Sequence, residues 1–219
     1  MIDSVDAHYG MTELGASILS ALADDGKDVD HLTVHDLAPV DEFHIRGRES
    51  TLELAGIAGL APGMSVLDVG SGIGGSARHL ASAHDCNVTG IDATKEYCDV
   101  ATMLSGRVGL AHRTTFTHGS ALDLPYSDAS FDLAWTEHVQ MNIEDKETFY
   151  GEIARVLAPG GRFAFHDILS GPGGEPHYPV PWAGDPSISF LIGPEERARG
   201  VARVRDLDSG EERDELLPE

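Results

Sequence analysis

The 219-residue sequence predicts one α/β domain built on an open, mostly parallel, doubly wound sheet. From about residue 61 to residue 170, short apolar runs of strand length alternate with segments whose apolar residues follow helical spacing. Strands that alternate with helices in this way form a parallel sheet, and right-handed crossovers place helices on both of its faces. The length is sufficient for one domain with a complete core.

The first 60 residues predict a helical cap. Residues 11–25 carry leucine and isoleucine at helical spacing, and Gly26 ends that helix. A mixed stretch, residues 31–44, leads into a second helix over about 47–60, which Pro62 breaks.

The core, residues 61–170, predicts five strands and the helices between them. The strands are expected over 65–69, 87–91, 114–118, 131–135 and 162–167, and the helices over 75–84, 95–104 and 147–157. Residues 171–194 are rich in proline and glycine, so we expect a loop that serves as a substrate lid. Residues 195–219 are mostly charged and predict an acidic tail.

The charge excludes some partners. Thirty-seven acidic residues face fifteen basic ones, a formal net charge of -22, so the surface repels phosphate backbones and nucleic acid is not an expected partner. Acid excess with few lysines suits a salt-rich cytoplasm, and ordinary acidic solubility is the alternative. No apolar run reaches the roughly 18 residues of a membrane span. The N-terminus carries acids where a secretory signal carries lysine or arginine, so we expect a cytoplasmic protein.

A glycine-rich turn follows the first predicted strand, at Gly70, Gly72 and Gly75. Such a turn lets the backbone approach a ligand closely, and the following helix offers free N–H groups. The spacing, with Asp92 further on, fits a nicotinamide dinucleotide and hence an oxidoreductase. Asp68 argues against that alternative, because a carboxylate is unfavourable beside a pyrophosphate and favourable beside the ammonium and sulfonium of S-adenosylmethionine.

Five segments together resemble the successive motifs of class I S-adenosylmethionine-dependent methyltransferases, which have a Rossmann-like fold. They are residues 66–75, 90–93, 119–125, 130–132 and 155–162. Within that class, residues 43–192 resemble the quinone-biosynthesis C-methyltransferases and the glycine, sarcosine and dimethylglycine N-methyltransferases. The resemblance is specific for the cofactor and uninformative about the substrate.

The resemblance implies a set of cofactor contacts. The glycines would pass under the methionine moiety, Asp92 would accept hydrogen bonds from both ribose hydroxyls, and Ala93 would pack on adenine. Relatives often have Asp where this chain has Ser120, so the adenine amino contact passes to the backbone or to Asp123. The cofactor-binding residues expected are Asp68, Gly70, Gly72, Asp92, Ala93, Ser120, Ala121, Leu122 and Glu137.

Polar residues after the fourth and fifth strands are expected to border the transfer site, because ligands of open α/β sheets lie at the carboxyl ends of strands. His138 and His166 are the predicted catalytic residues, and a structural role is the alternative. The predicted substrate contacts are Tyr9, Gln140, His177 and Trp182, with His44 and Arg48 as further candidates to close the site. No histidine or cysteine spacing indicates a metal site.

Methyltransferases of this class end with two further strands beside the fifth. Residues 195–219 hold too few apolar side chains for strands buried on both faces, so we expect this pair to be incomplete. The open edge of the fifth strand would then be covered by the lid loop or in a homodimer. The predicted function is methyl transfer to a small molecule, with an amine such as a glycine derivative as the first candidate. A C- or O-methyltransferase of a quinone-like metabolite and a binding protein without turnover are the alternatives.

Overall fold

A computed structural model describes residues 13–41, 46–170, 176–180, 183, 186–193 and 195 of the chain. Its centre is a five-stranded sheet with the order β3-β2-β1-β4-β5, in which every neighbouring pair is parallel. The strands are β1 (Ser65–Val69), β2 (Asn87–Asp92), β3 (Thr114–His118), β4 (Phe131–Glu137) and β5 (Leu157–His166). The doubly wound parallel fold is therefore confirmed, and the strand order reverses between β1 and β4, where open sheets bind ligands.

Six α-helices surround the sheet in the described part of the chain. They are α1 (Glu13–Asp24), α2 (Val34–Asp41), α3 (Arg48–Ile57), α4 (Gly75–His84), α5 (Lys95–Arg107) and α6 (Lys146–Val156). Short 3-10 helices cover Gln140–Asn142 and Pro186–Ile188. Within these residues no helix has the length and apolarity that crossing a membrane requires.

Helix α2 lies in the stretch for which the sequence predicted no element. It starts at a reciprocal cap, in which the Thr33 N–H and hydroxyl donate to the Asp36 carboxylate at 3.0 and 2.6 Å. The Asp36 N–H in turn donates to the Thr33 hydroxyl at 3.3 Å. This mutual bonding satisfies donors that the first turn of a helix leaves unpaired, so eight residues with little apolar patterning become helical.

The two faces of the sheet are packed by different helices. Val66, Val88 and Leu133 point to the face covered by α3 and α4, whereas Leu67 and Ile91 point to the face covered by α6. The alternation follows from the period of two residues in a strand. A third apolar cluster joins α1, α2 and α5 to the glycine-rich turn.

Strand β5 begins five residues earlier than the sequence predicted. Leu157 already pairs with Phe131, and the register then shifts before Leu133 pairs with Arg162. The shift accommodates the proline and glycines that were interpreted as a turn, and Gly160 takes a φ of 76° there. Helix α6 consequently leads into the strand at once.

The expected tail and most of the expected lid lie outside the described residues. The incomplete terminal strand pair and the homodimer therefore stay predictions. A described segment, residues 186–193, returns to the core: the Ser170 N–H donates to the Ile192 carbonyl at 3.0 Å, and the Phe190 N–H donates to the Met141 carbonyl at 2.8 Å. Ile192 is buried with the apolar cluster under α6.

Candidate cofactor and substrate site

A cavity of about 1130 Å³ lies at the carboxyl ends of β1, β2 and β4. Its walls come from the glycine-rich turn, the residues following each of these strands, helix α1 and Phe190. The volume is slightly above the roughly 300–1000 Å³ usual for small-molecule sites, so it has room for a cofactor and an acceptor together.

The glycine-rich turn forms the floor of this cavity. Gly70 and Gly72 have φ angles of 74° and 52°, in the left-handed region that favours glycine. The N–H groups of Gly70 and Ser71 both donate to the Ile91 carbonyl, at 2.8 and 3.1 Å, which ties the turn to β2. A side chain at Gly70 would overlap Val139, whereas one at Gly72 would meet no atom within 4 Å because it would point into open space.

Asp92, at the end of β2, connects the turn to the start of α5. One carboxylate oxygen accepts the Gly72 N–H at 2.9 Å, and the other accepts the Thr94 N–H at 2.8 Å. Each oxygen retains a second lone pair toward the cavity that Asp92 lines. A vicinal diol, with one hydroxyl for each oxygen, is a matching partner.

Three carboxylates, Asp68, Asp92 and Glu137, approach one another in the cavity wall. Asp68 is only 2% exposed, and its Oδ2 atom has no hydrogen-bond partner among the described residues. Burial raises the pKa of Asp68 well above its usual range, and the charges of Glu137 and Asp92 raise it further. A cation in the cavity would relieve this repulsion and favour the ionised form.

Glu137 is held by three elements. The Thr51 hydroxyl of α3 lies 3.1 and 3.2 Å from its two oxygens, the Ser76 hydroxyl of α4 donates at 2.5 Å, and the Trp135 indole N–H donates at 3.1 Å. These donors hold the Glu137 carboxylate in a fixed position in the cavity wall.

His138 and His166 form a stacked pair behind the end of β4. Their ring centroids are 5.1 Å apart with planes tilted by 37°, and the His138 N–H donates to the His166 carbonyl at 2.8 Å. His138 has a φ of 56°, an uncommon conformation for a side-chain-bearing residue. His138 lines the cavity, whereas His166 is not among the lining residues.

Comparisons with known proteins identify this arrangement. Residues 67–165 match the family model described as a methyltransferase domain. The O-methyltransferase resE of Aspergillus sclerotiorum is 32% identical over 179 residues, which are 82% of this chain and 62% of that protein. The parallel sheet, the glycine-rich turn and these matches together support a class I S-adenosylmethionine-dependent methyltransferase domain.

Two further matches carry names with different acceptors. Sterol 24-C-methyltransferase erg6 of Aspergillus fumigatus is 38% identical over 116 residues, covering 53% of this chain and 31% of that protein. The crystal structure of a candidate sarcosine dimethylglycine methyltransferase from Galdieria sulphuraria is 28% identical, with a TM-score of 0.53, covering 54% of this chain and 45% of that one. The chain spans less than two thirds of the length of each of these three relatives.

The residues present fit the cofactor of this family, S-adenosylmethionine. An ammonium group in the cavity could donate to the unpartnered buried oxygen of Asp68, and a sulfonium would add a favourable charge. The glycine-rich turn leaves open space at Gly72, and Asp92 offers two acceptors for a ribose. The same acidic wall opposes a pyrophosphate, so it gives no support to the nicotinamide alternative.

The expected adenine residues follow the end of β3. The Leu122 N–H donates to the Ser120 hydroxyl at 3.1 Å, and the Asp123 N–H donates to the Ser120 carbonyl at 3.2 Å, so this segment is a tight turn. Ser120, Ala121 and Leu122 all line the cavity, as does Ala93, whose carbonyl lies 3.1 Å from the His118 ring.

Sequence reasoning missed the wall opposite this turn. Leu14 and Ile18 of α1 line the cavity together with Tyr97 of α5. The spacing of Leu14 and Ile18 did indicate one covered helix face, but not that the covering partner is a ligand site. The Leu14 N–H also donates to Glu96 at 3.2 Å, which holds α1 against α5.

Gln140 lies elsewhere than the sequence predicted. Its side chain is 1% exposed, accepts a 2.5 Å hydrogen bond from the Tyr150 hydroxyl and does not line the cavity. Its side-chain oxygen is bonded to α6, whereas its buried Nε2 has no hydrogen-bond partner among the described residues, and its role as a substrate contact stays a prediction. Met141, Asn142 and Ile143, which follow it, line the cavity instead.

Asp167 fixes the loop that carries these residues. Its Oδ2 accepts the N–H groups of Val139 and Gln140 at 3.0 and 2.7 Å, and its Oδ1 accepts the Ile168 N–H at 2.8 Å. Burial raises the pKa of Asp167 while these bonds oppose the rise. Asp167 therefore orders the loop after β4, whose residues line the cavity.

The remaining predicted contacts are placed only in part. His177 is exposed and does not line the cavity, and Tyr9, His44 and Trp182 lie outside the described residues. Arg48 begins α3, and its charge partly offsets the rise in the pKa of Asp41 that burial causes. Within the described ranges, no group of three or more histidine, cysteine, aspartate or glutamate side chains is arranged to hold a metal ion.

Proposed function

We propose that the protein transfers the methyl group of S-adenosylmethionine to a small molecule and that this acceptor is an amine. The observation that supports the amine is the charge of the cavity. Among the described residues no lysine or arginine lines it, whereas the acidic lining residues are Asp41, Asp68, Asp92, Glu137, Glu144 and Asp145. Such a wall attracts cations and repels anionic acceptors such as phosphate esters.

For the narrower candidate, a glycine derivative, only one of its two charged groups has a complementary partner in the cavity. Its ammonium group suits the acidic wall, but its carboxylate finds no cationic side chain among the described lining residues. A backbone N–H group would have to bind that carboxylate. We therefore keep a glycine derivative as one member of the class of amine acceptors.

His138 is the residue that we assign to the acceptor's proton. Methylation requires a free lone pair on nitrogen, so an ammonium must lose a proton first. An imidazole titrates in the range needed for this transfer, and His138 borders the cavity beside Val139 and Met141. The hydrogen bond from its N–H to the His166 carbonyl fixes the backbone that carries the ring.

The rest of the chain holds the reactants and excludes water. When bound, S-adenosylmethionine supplies an electrophilic methyl group, so no nucleophilic side chain is needed. Leu14, Ile18, Met141 and Phe190 provide apolar wall. Alignment and removal of water are the contributions that such a transfer asks of a protein.

Binding and turnover test the proposal separately. Calorimetry with S-adenosylmethionine should show binding that Asp92→Ala weakens roughly 10- to 100-fold, since each charged hydrogen bond contributes about 1.5–3 kcal/mol at most. Asp99→Ala, on the exposed side of α5, is the matched control and should leave the affinity unchanged. Unchanged affinity in Asp92→Ala would remove the ribose role.

The acceptor is tested by mass spectrometry of products from a panel of amines, phenols and quinols. Methylated amines support the proposal, and methylated phenols or carbon atoms with unreacted amines overturn the acceptor class. Tight cofactor binding with no product from any acceptor would indicate a binding protein without turnover. Absence of cofactor binding would overturn the whole function.

A further inference from the structure

Arg78 and Asp41 form an ion pair in the interior, directly beneath the cofactor cavity. The side chains are 0% and 3% exposed. Arg78 also donates to the Ser105 hydroxyl at 3.3 Å, so it joins α2, α4 and α5. Burial raises the pKa of Asp41, whereas the charges of Arg78 and Arg48 lower it, so desolvation of this carboxylate is only partly offset.

A buried pair of this kind is a weak source of stability, because apolar residues of similar size often stabilise a protein as well or better. What the pair does supply is direction, since a guanidinium binds a carboxylate in a fixed geometry. Its structural effect therefore depends on the elements that the two side chains join.

The pair fixes the end of α2 on the glycine-rich turn. Asp41 is the last residue of α2, and its carbonyl oxygen would lie 2.6 Å from a side-chain carbon placed on Gly75, the first residue of α4. The backbone of Asp41 therefore lies directly against the backbone of residue 75, and only glycine fits at that position. Both residues line the cavity.

The same contact positions the cavity wall. Leu37 of α2 packs in one apolar cluster with Ile18 of α1 and with Ile73 of the turn. Ile18 and Ile73 both line the cavity. A change at the end of α2 is therefore transmitted to both sides of the space that the cofactor occupies.

We propose that Asp41 and Arg78 are positioning residues for cofactor binding: their buried ion pair holds the helical cap α1–α2 on the glycine-rich turn and so forms the wall over the cofactor. The inference rests on the proposed cofactor binding. It assigns a positioning role to Arg78, and a second role to Asp41 beside its place in the acidic cavity wall.

Calorimetry with S-adenosylhomocysteine, combined with urea unfolding, tests this role. Asp41→Asn should raise Kd roughly tenfold, a change of about 1.4 kcal/mol. Amide exchange in α1 and α2 should slow on ligand binding in the wild type and much less in the variant. Asp85→Asn, which removes a more exposed ion pair with Arg113 at 3.2 Å, is the matched control and should leave Kd unchanged.

A double variant, Asp41→Leu with Arg78→Met, separates positioning from support of the fold. It removes both buried charges, so the urea midpoint should return toward the wild type, while Kd should stay elevated because no directional contact remains. Recovery of Kd together with the midpoint would overturn the proposal, as would Asp41→Asn binding within twofold of the wild type. Failure of the wild type to bind the ligand would instead overturn the proposed function on which the inference depends.

Discussion

Replacing Gly70 by alanine should destabilise the protein more than the same change at Gly63 or Gly72, two glycines of positive φ where an added methyl group meets open space. The backbone conformation at 74° costs an L-residue about 1–2 kcal/mol. The new methyl group would also overlap the nearest Val139 methyl and approach two further Val139 carbons to 3.2 and 3.3 Å, whereas carbon contacts lie at about 3.5–4.0 Å. Overpacking of this kind costs about 1–3 kcal/mol, so the expected total is about 2–5 kcal/mol.

Two other glycines separate the cost of the backbone conformation from the cost of overpacking. Gly63 has a φ of 84°, and a methyl group added there would meet no atom within 4 Å, so Gly63→Ala should lose only the backbone part, about 1–2 kcal/mol. Gly72→Ala should lose a similar amount of stability and, in addition, bind S-adenosylhomocysteine more weakly, because its methyl group would enter the cavity. Urea unfolding followed by circular dichroism measures the first quantity, and calorimetry measures the second.

Val139→Ala in the Gly70→Ala background should recover the stability lost through overpacking, because the overlapping Val139 methyl groups are removed. The loss due to the backbone conformation at residue 70 should remain. If Gly70→Ala is no less stable than Gly63→Ala, the close approach of the turn to the loop after β4 is not as described. If the double variant is no more stable than Gly70→Ala, the cost does not come from Val139.

Three further predictions concern charge. The folded-state pKa of Asp68 is raised above its ordinary value of 3.8, so its ionisation destabilises the fold as pH rises. Asp68→Asn should therefore raise the urea midpoint near neutral pH, lose this advantage below about pH 4, and weaken cofactor binding. A lower midpoint at neutral pH would contradict this. Asp167→Ala should cost on the order of 1–3 kcal/mol and speed amide exchange at Val139 and Gln140, because it leaves their partly buried N–H groups without this acceptor; unchanged exchange would show that other contacts order the loop. With a formal net charge of -22, the melting temperature should rise from low to molar potassium chloride, and a flat response would reject self-repulsion as a factor in stability.

The elements around the glycine-rich turn could be predicted because their signals are local. Helix Gly75–His84 and strand Thr114–His118 have the bounds that apolar spacing and flanking glycines indicate. Helix Val34–Asp41 was missed because it has weak apolar patterning and an internal proline, although the cap residues Thr33 and Asp36 were visible in the sequence.

The sequence predicted that Asp68 and Asp92, at strand ends, border the ligand site, and both line the cavity; their contacts to a cofactor stay predictions. A placement that depends on a distant partner could not be predicted. Gln140 follows a strand as a ligand-binding residue would, but the Tyr150 hydroxyl donates to its side-chain oxygen in the interior. The pairing of Asp41 with Arg78, separated by thirty-seven positions, has no local signal at all.

Glu137 also limits how this protein can be re-engineered. Because Thr51, Ser76 and Trp135 all bond to its carboxylate, a replacement there would have to be compensated in two helices and a strand at once. Asn142 and Ile143, by contrast, border the cavity from a loop, where a substitution perturbs fewer neighbours. A library meant to change the acceptor while keeping the cofactor should therefore randomise these loop positions and leave residue 137 untouched.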